Sequence, residues 1–450
     1  MNNFCLVASK GWSLPKVAML VWVGLLFFGC GSSSSGKKTT AVGDPRTGSN
    51  LSSVDIKYFD GRPSLSSSGD RLVFTTGRSG KLQIYKYKIA TDTSASRLFA
   101  STLSFDAERA AWLSTAGSWV VVQTVLDGKT DFTVVDYGGT KTAVTITSDA
   151  FEEKDVSFAN DTDFSYVKAT QGSRSGKIVV ASLSSTGSTS TSVEITPPTG
   201  WVESQPSFVQ ASSGGYELYT KATLTGGSTV RILKRSFTTL SAAASAAVTT
   251  LVDNSLTVDL SAGNSFFGTQ VGVFDIRSLS TTKTMNPLGG DKVSDKSLKV
   301  SNELVKVSSA TSTSSAYSHQ SYELRGLSAN TAGTVLVAVG RDYLSCNDFE
   351  GFGSTMQLFD LSKATAERLI TVQGKSFNQE KAQSICKQIL ADGSEAKIDL
   401  RIQSAVLSAG STSANYAIAF VTTQGSDFEI YTWVTTSGTT QLKNISANHP

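Results

Sequence analysis

The chain has 450 residues, with 40 Lys and Arg against 37 Asp and Glu and a formal net charge of +3. That near balance leaves no basic stripe of the kind nucleic-acid binding needs. Its two histidines, His319 and His449, are too few for a multi-histidine metal site and a poor start for a Ser-His-Asp triad.

The first 29 residues have the layout of a secretory signal. Lys10 and Lys16 precede the apolar run from Val17 to Phe28, which is too short to span a bilayer but matches the core of a signal peptide. It stops at Gly29-Cys30. Leu25-Leu26-Phe27-Phe28-Gly29-Cys30 resembles the lipobox of bacterial lipoproteins, although Phe27 stands where an aliphatic residue is usual. The resemblance implies that Cys30 carries acyl chains and becomes the N-terminus after cleavage. Residues 30–50 then read as a tether. Ser, Gly, Thr and Lys dominate, so this stretch is a flexible coil with a typical reach of roughly 25 Å. Each buried acyl methylene contributes about 0.8 kcal/mol, so two or three chains hold the protein on the membrane through Cys30. Gly31 is not the acidic residue associated with inner-membrane retention, so an outer membrane is favoured. The remaining protein would face the periplasm or the cell surface.

From Leu51 onward the sequence repeats. Pro63-Ser64-Leu65 leads through a Gly69 turn into Arg71-Leu72-Val73-Phe74, and Gln83-Ile84-Tyr85 and Ser96-Arg97-Leu98-Phe99 follow. Similar units carry Trp112, Phe158, Phe208, Leu260, Leu327 and Leu407 at the position of Leu65. The first spacings are about 46 to 52 residues, and four short strands at that period make a propeller blade. The expected fold is therefore an all-β propeller of about seven blades, with six or eight as alternatives. Val54 to Tyr58 is expected to add a closing strand to the last blade. Insertions are expected at 280–320, 341–355 and 373–396. The first and last repeats resemble the TolB-type (WD-like) propeller repeat, Pro63 and the Gly69 turn keeping its frame without its Pro-Asp pair. That resemblance implies a propeller and, by analogy, an envelope partner. Propellers host many tasks, so the fold does not name one.

Two insertions near the sixth blade are the most individual feature. Ser376 to Gly393 reads as the one good helix, with Ser376 and Gln379 as a capping box and Gly393 as its stop. Cys386 lies on its apolar face, and Cys346 lies in the other insertion. In an exported protein this pair is expected to form a disulfide, which would close about 40 residues and contribute about 4 kcal/mol in the chain-entropy picture. Asp342, Tyr343, Asp348, Phe349, Glu350 and Phe352 make an acidic and aromatic cluster on the pinned loop, a candidate binding surface. No catalytic residue, metal ligand or cofactor is indicated. His319 reads as a loop residue in a Ser/Thr-rich connector.

Three functions fit. The first is a monomeric, lipid-anchored, non-enzymatic scaffold that binds an envelope protein or glycan. The second is a carbohydrate-active enzyme with paired carboxylates at the propeller mouth. The third is a spacer without a specific ligand.

Overall fold

A computed structural model describes residues 60–253, 269–280, 299–307, 314–342, 355–374 and 401–446, save isolated connecting residues within those spans; for the fifth sheet it describes the backbone only. No described helix is long and apolar enough to cross a membrane. Seven four-stranded antiparallel sheets follow one another along the chain. They are blade 1 (Asp60–Arg97), blade 2 (Ala107–Thr145), blade 3 (Phe151–Ile195), blade 4 (Trp201–Asp253), blade 5 (Thr269–Gln320), blade 6 (Tyr322–Gly374) and blade 7 (Arg401–Asn444). First strands of successive blades touch, and that of blade 7 touches that of blade 1, so the sheets form a propeller around an axis.

Where side chains are described, the sheets bury apolar residues on both faces, and the sequence shows why. In Trp119-Val120-Val121-Val122 alternate residues point opposite ways. Val120 and Val122 join Val73, Ile84 and Leu98 in the core between blades 1 and 2. Trp119 and Val121 join Val156, Phe164 and Tyr166 between blades 2 and 3. A strand serving two neighbours loses its polar face and reads as a continuous apolar run. The anchors Leu65, Trp112, Phe158, Phe208, Leu327 and Leu407 all lie in first strands. Leu260 lies outside the described residues.

The first strands have no strand partner on their axial edge, and serines supply one. Leu113 N donates to Ser64 Oγ (3.0 Å), Phe208 N to Ser157 Oγ (2.9 Å) and Leu407 N to Ser328 Oγ (3.0 Å), each reaching back to the preceding blade. These bonds satisfy buried amides that would otherwise cost about 1–3 kcal/mol each.

The seam between blades 7 and 1 is closed without strand exchange among the described residues. All four strands of blade 7 come from Arg401–Leu407, Tyr416–Gln424, Asp427–Thr436 and Thr439–Asn444. The expected closing strand at Val54 to Tyr58 lies outside the described residues. Leu65, Leu72 and Phe74 pack on Ala419, Val421 and Ile430 across the seam. Gly69 adopts φ +72°, and a Cβ there would overlap that of Ala417, so only glycine lets the two blades approach this closely. Arg78 bridges the fully buried Asp60 of blade 1 (2.7 Å) and Glu429 of blade 7 (2.9 Å). Lys443 reaches over to Tyr87.

Two expectations need correction. Residues 280–320 are not one insertion: Lys299–Val307 and Ser314–Gln320 are the third and fourth strands of blade 5, and only 281–298 connects strands on that side. His319 accordingly sits in a strand opposite Asn302, not in a connector. Ser314–Gln320 has three serines, and the Ser- and Thr-rich residues 308–313 before it helped to hide these strands.

Candidate functional site: the loop face and the channel ring

The two ends of the propeller differ. At one end lie the turns between first and second strands and between third and fourth strands. Longest of these is 238–247. The turns after the first strands are stitched blade to blade: Thr331 N donates to Ala409 O (2.8 Å), Gly410 N to Ser67 O (2.9 Å) and Ser67 N to Thr115 O (2.6 Å). Asp161 of blade 3 continues the chain by accepting from Ser114 Oγ and Ala116 N of blade 2. This end is a collar of short, mutually bonded turns. A cavity of about 640 Å³ on it is lined by small hydroxyl residues such as Ser67, Ser411 and Thr435.

At the opposite end, the loop face, first strands begin and second strands finish. Connections 254–268, 281–298, 343–354 and 375–400 all join strand ends on this face, and each is longer than anything on the collar. Three of the exposed large apolar residues lie here on adjacent blades, Leu126 in blade 2 (49% exposed), Phe151 in blade 3 (44%) and Leu224 in blade 4 (37%), whereas Val248 opens the fourth strand of blade 4 at the collar end and Leu442 lies within the fourth strand of blade 7. Lys168 lies 4.8 Å over the Phe151 ring, and Arg231 lies 4.4 Å over Trp201.

Just inside this face every first strand longer than two residues carries a β-bulge. Register shifts place Arg62, Arg109, Asp155, Gln205, Arg325 and Gln403 as the extra residue in blades 1, 2, 3, 4, 6 and 7. A bulge breaks the ladder and re-aims a side chain. Here it adds one polar residue per blade near the axis. Three bulge residues adopt left-handed backbone: Arg62 (φ 53°), Asp155 (φ 55°) and Gln205 (φ 49°). Non-glycine residues in that region store roughly 1–3 kcal/mol of strain, and such strain clusters at functional sites. Pro63 and Pro206 follow two of them; proline is tolerated at a bulge because no ladder donor is needed there.

The ring is electrostatically coupled. Arg62 Nη1 donates to Arg109 O (2.8 Å). Arg109 Nη1 lies 4.0 Å from Glu152 Oε1, and Lys154 lies 3.8 Å from Glu152 Oε2. Enclosure by protein pushes the Asp155 carboxyl above its usual range; Lys154, the Gln205 amide and Arg62 pull it part of the way back. Asp155 nonetheless keeps some solvent-accessible surface. Arg62 and Asp155 both lie in first strands, those of blades 1 and 3.

Other carboxylates around the mouth are engaged. Burial raises Glu108, whose oxygens accept from Ile84 N (2.6 Å) and Arg97 (2.9 Å). Glu203 and Arg235, each 1% exposed, make two parallel bonds of 2.5 and 2.9 Å. Among the described residues no group of three or more His, Cys, Asp or Glu could hold a metal ion.

Asp342 ends the second strand of blade 6, opposite Tyr322, on the loop face. Tyr343, Cys346, Asp348, Phe349, Glu350, Phe352 and Cys386 lie outside the described residues, as does Cys30. Strands flanking the two sixth-blade insertions therefore open onto the face that carries the bulge ring. The ring itself went unread in the sequence. Its signal was there: Arg62, Arg109, Asp155 and Gln205 each stand three residues before an anchor.

No protein-family profile and no curated protein matches this sequence. Solved structures do. Prolyl oligopeptidase B from Galerina marginata aligns with 87% of the chain at 8% identity and a TM-score of 0.50. The chain spans about half of that enzyme's length, 52%. The Dos1 propeller aligns with 87% of the chain at 9% identity (84% of its own length, TM-score 0.44). TolB from Acinetobacter baumannii aligns with 55% at 11% identity (52% of its length, TM-score 0.35). At these identities the likeness concerns the propeller fold alone.

Proposed function

We propose that this chain is a lipid-anchored propeller of the bacterial cell envelope, held through Cys30, that binds a partner protein with its loop face and performs no chemistry. One observation carries the reading: all the long connections, the exposed Leu126, Phe151 and Leu224 and the strained bulge ring fall on one end, while the other end is a collar of short bonded turns. Rigid scaffolds place recognition on the connections between their strands, and backbone strain clusters at functional sites. The engaged carboxylates at the mouth favour binding over acid–base catalysis, because Glu108 and Glu203 are committed to ion pairs. The tether from Gly31 to Asn50 gives the module room to meet a partner away from the lipid surface.

A pull-down tests this. Full-length protein solubilised from envelope and a variant lacking 376–393 serve as baits. A partner retained by the first and lost by the second, with both baits folded, supports a scaffold reading on the loop face. Equal retention by both would move the site off the insertions. Turnover of an envelope glycan by purified protein would replace the reading with an enzymatic one.

A further inference from the structure

Arg109 differs from the other charged residues of the ring. Its main chain is clamped from blade 1, the carbonyl accepting from Arg62 Nη1 (2.8 Å) and from Thr75 Oγ1 (3.1 Å). Its neighbour Glu108 is 1% exposed and fixed by Ile84 N and Arg97. Yet its guanidinium makes no hydrogen bond among the described residues, and its one ion-pair contact there is Glu152 at 4.0 Å. The side chain is 36% exposed. An arginine with a fixed backbone, whose planar fork is held by one long ion pair and no hydrogen bond among the described residues, can accept a closer, bidentate carboxylate.

Its surroundings extend the argument. Arg62 stands beside it in blade 1, and register gives Arg325 the same bulge position in blade 6. With the neutral Gln403 of blade 7 between them, blades 6, 7, 1 and 2 contribute three arginines and no acid at the bulge position. Asp155 of blade 3 is the one acidic bulge residue, and it is already held by Gln205 N and the charges of Lys154 and Arg62. On the same face, the exposed Leu126 ends the second strand of blade 2 and the exposed Phe151 opens the first strand of blade 3, next in sequence to Glu152.

We propose that Arg109 is a recognition residue for a carboxylate borne by an acidic segment of a protein partner, with Arg62 as its positioning residue. This rests on the scaffold reading and names its ligand chemistry. A peptide suits the site because Leu126 and Phe151 offer apolar contacts on the same face of blades 2 and 3, matching a segment that mixes acidic and apolar side chains.

The test uses full-length protein in detergent and a fluorescent heptaglutamate peptide as probe, read by anisotropy. Wild type binds, more weakly as salt rises. Arg109→Ala weakens binding at least tenfold, and Arg109→Lys weakens it less. Lys141→Ala, which removes a cation over Trp119 on the collar side, leaves it unchanged. Because the Arg109 guanidinium makes no hydrogen bond among the described residues, its variants keep the wild-type melting temperature. Equal binding by Arg109→Ala and wild type, or equal loss with Lys141→Ala, overturns the proposal. So does an oligogalacturonate of equal charge binding in place of the peptide. A partner still retained by full-length Arg109→Ala bait, with no peptide bound by any form, would sink this inference while leaving the scaffold reading intact.

Discussion

Replacing Arg78 by alanine should loosen the propeller at its seam. Arg78 gives Asp60 two contacts, Nε at 2.8 Å and Nη2 at 2.7 Å, and gives Glu429 one at 2.9 Å. Asp60 is fully buried, with one oxygen, Oδ1, already without a hydrogen-bond partner. Burial holds its carboxyl above the usual range, with the Arg78 bonds opposing. Breaking a buried ion pair by removing one partner costs about 3–5 kcal/mol. The side chain of Arg78 is 25% exposed, so water moderates the loss and about 3 kcal/mol is the expected figure. For roughly 390 propeller residues at about 2.1 cal/mol/K each, the unfolding entropy is about 0.8 kcal/mol/K. The melting temperature should therefore fall by about 4 °C, read by circular dichroism on full-length protein in detergent. Adding Asp60→Asn removes the stranded charge and should restore roughly half of the loss. A melting temperature within about 1 °C of wild type for Arg78→Ala would refute the claim that this bridge holds the ring shut.

Other outcomes follow from the same structure. Gln205→Gly relieves a left-handed, pre-proline backbone and should stabilise the protein by roughly 0.5–1 kcal/mol; a destabilised variant would show that side-chain contacts outweigh the strain. pH dependence has a worked sign. Asp60, Glu108 and Asp155 are raised, chiefly by burial, so they bind protons more readily folded than unfolded, and stability should rise as pH falls from 7 toward about 5. Glu217, Asp70 and Asp136 are also subject to burial, but it is outweighed: by Lys234 and Tyr219 at Glu217, by Ser68 and Ser66 at Asp70, and by the Lys141 and Thr140 amides at Asp136. Their net lowering contributes stability that is lost below about pH 4. A melting temperature that climbs steadily from pH 5 to 8 would contradict this. Finally, Cys30→Ser should move the protein from the membrane fraction to the soluble one and abolish incorporation of labelled palmitate, and unchanged fractionation would remove the lipid anchor from the account.

The repeat was legible because each blade presents one apolar anchor at the end of its first strand and a continuous apolar second strand, as in Trp119 to Val122. Blade 5 was harder. Its strands Lys299–Val307 and Ser314–Gln320 mix Ser, Lys, Asn, Glu, His and Gln among their apolar residues, and their period-two signal is weak. Thr269–Gln270 offers too short a first strand to read. The bulge ring escaped because one extra residue resets the alternation, so Arg62-Pro63 and Gln205-Pro206 read as turn punctuation. Pairing register, which a single sequence does not display, shows them to be bulge residues of first strands. Seam closure escaped for a related reason: Arg78 and Glu429 are 351 residues apart.

The most direct measurement of the central claim is site-specific photo-cross-linking in intact cells. A photoreactive residue is placed in turn at Leu126, Phe151 and Leu224 on the loop face, and at Thr115 and Thr436 on the collar. Discrete adducts of one protein from the first three positions, and none from the collar pair, are the predicted result. Adducts confined to Thr115 and Thr436 would contradict the account, because the binding face would then be the bonded collar.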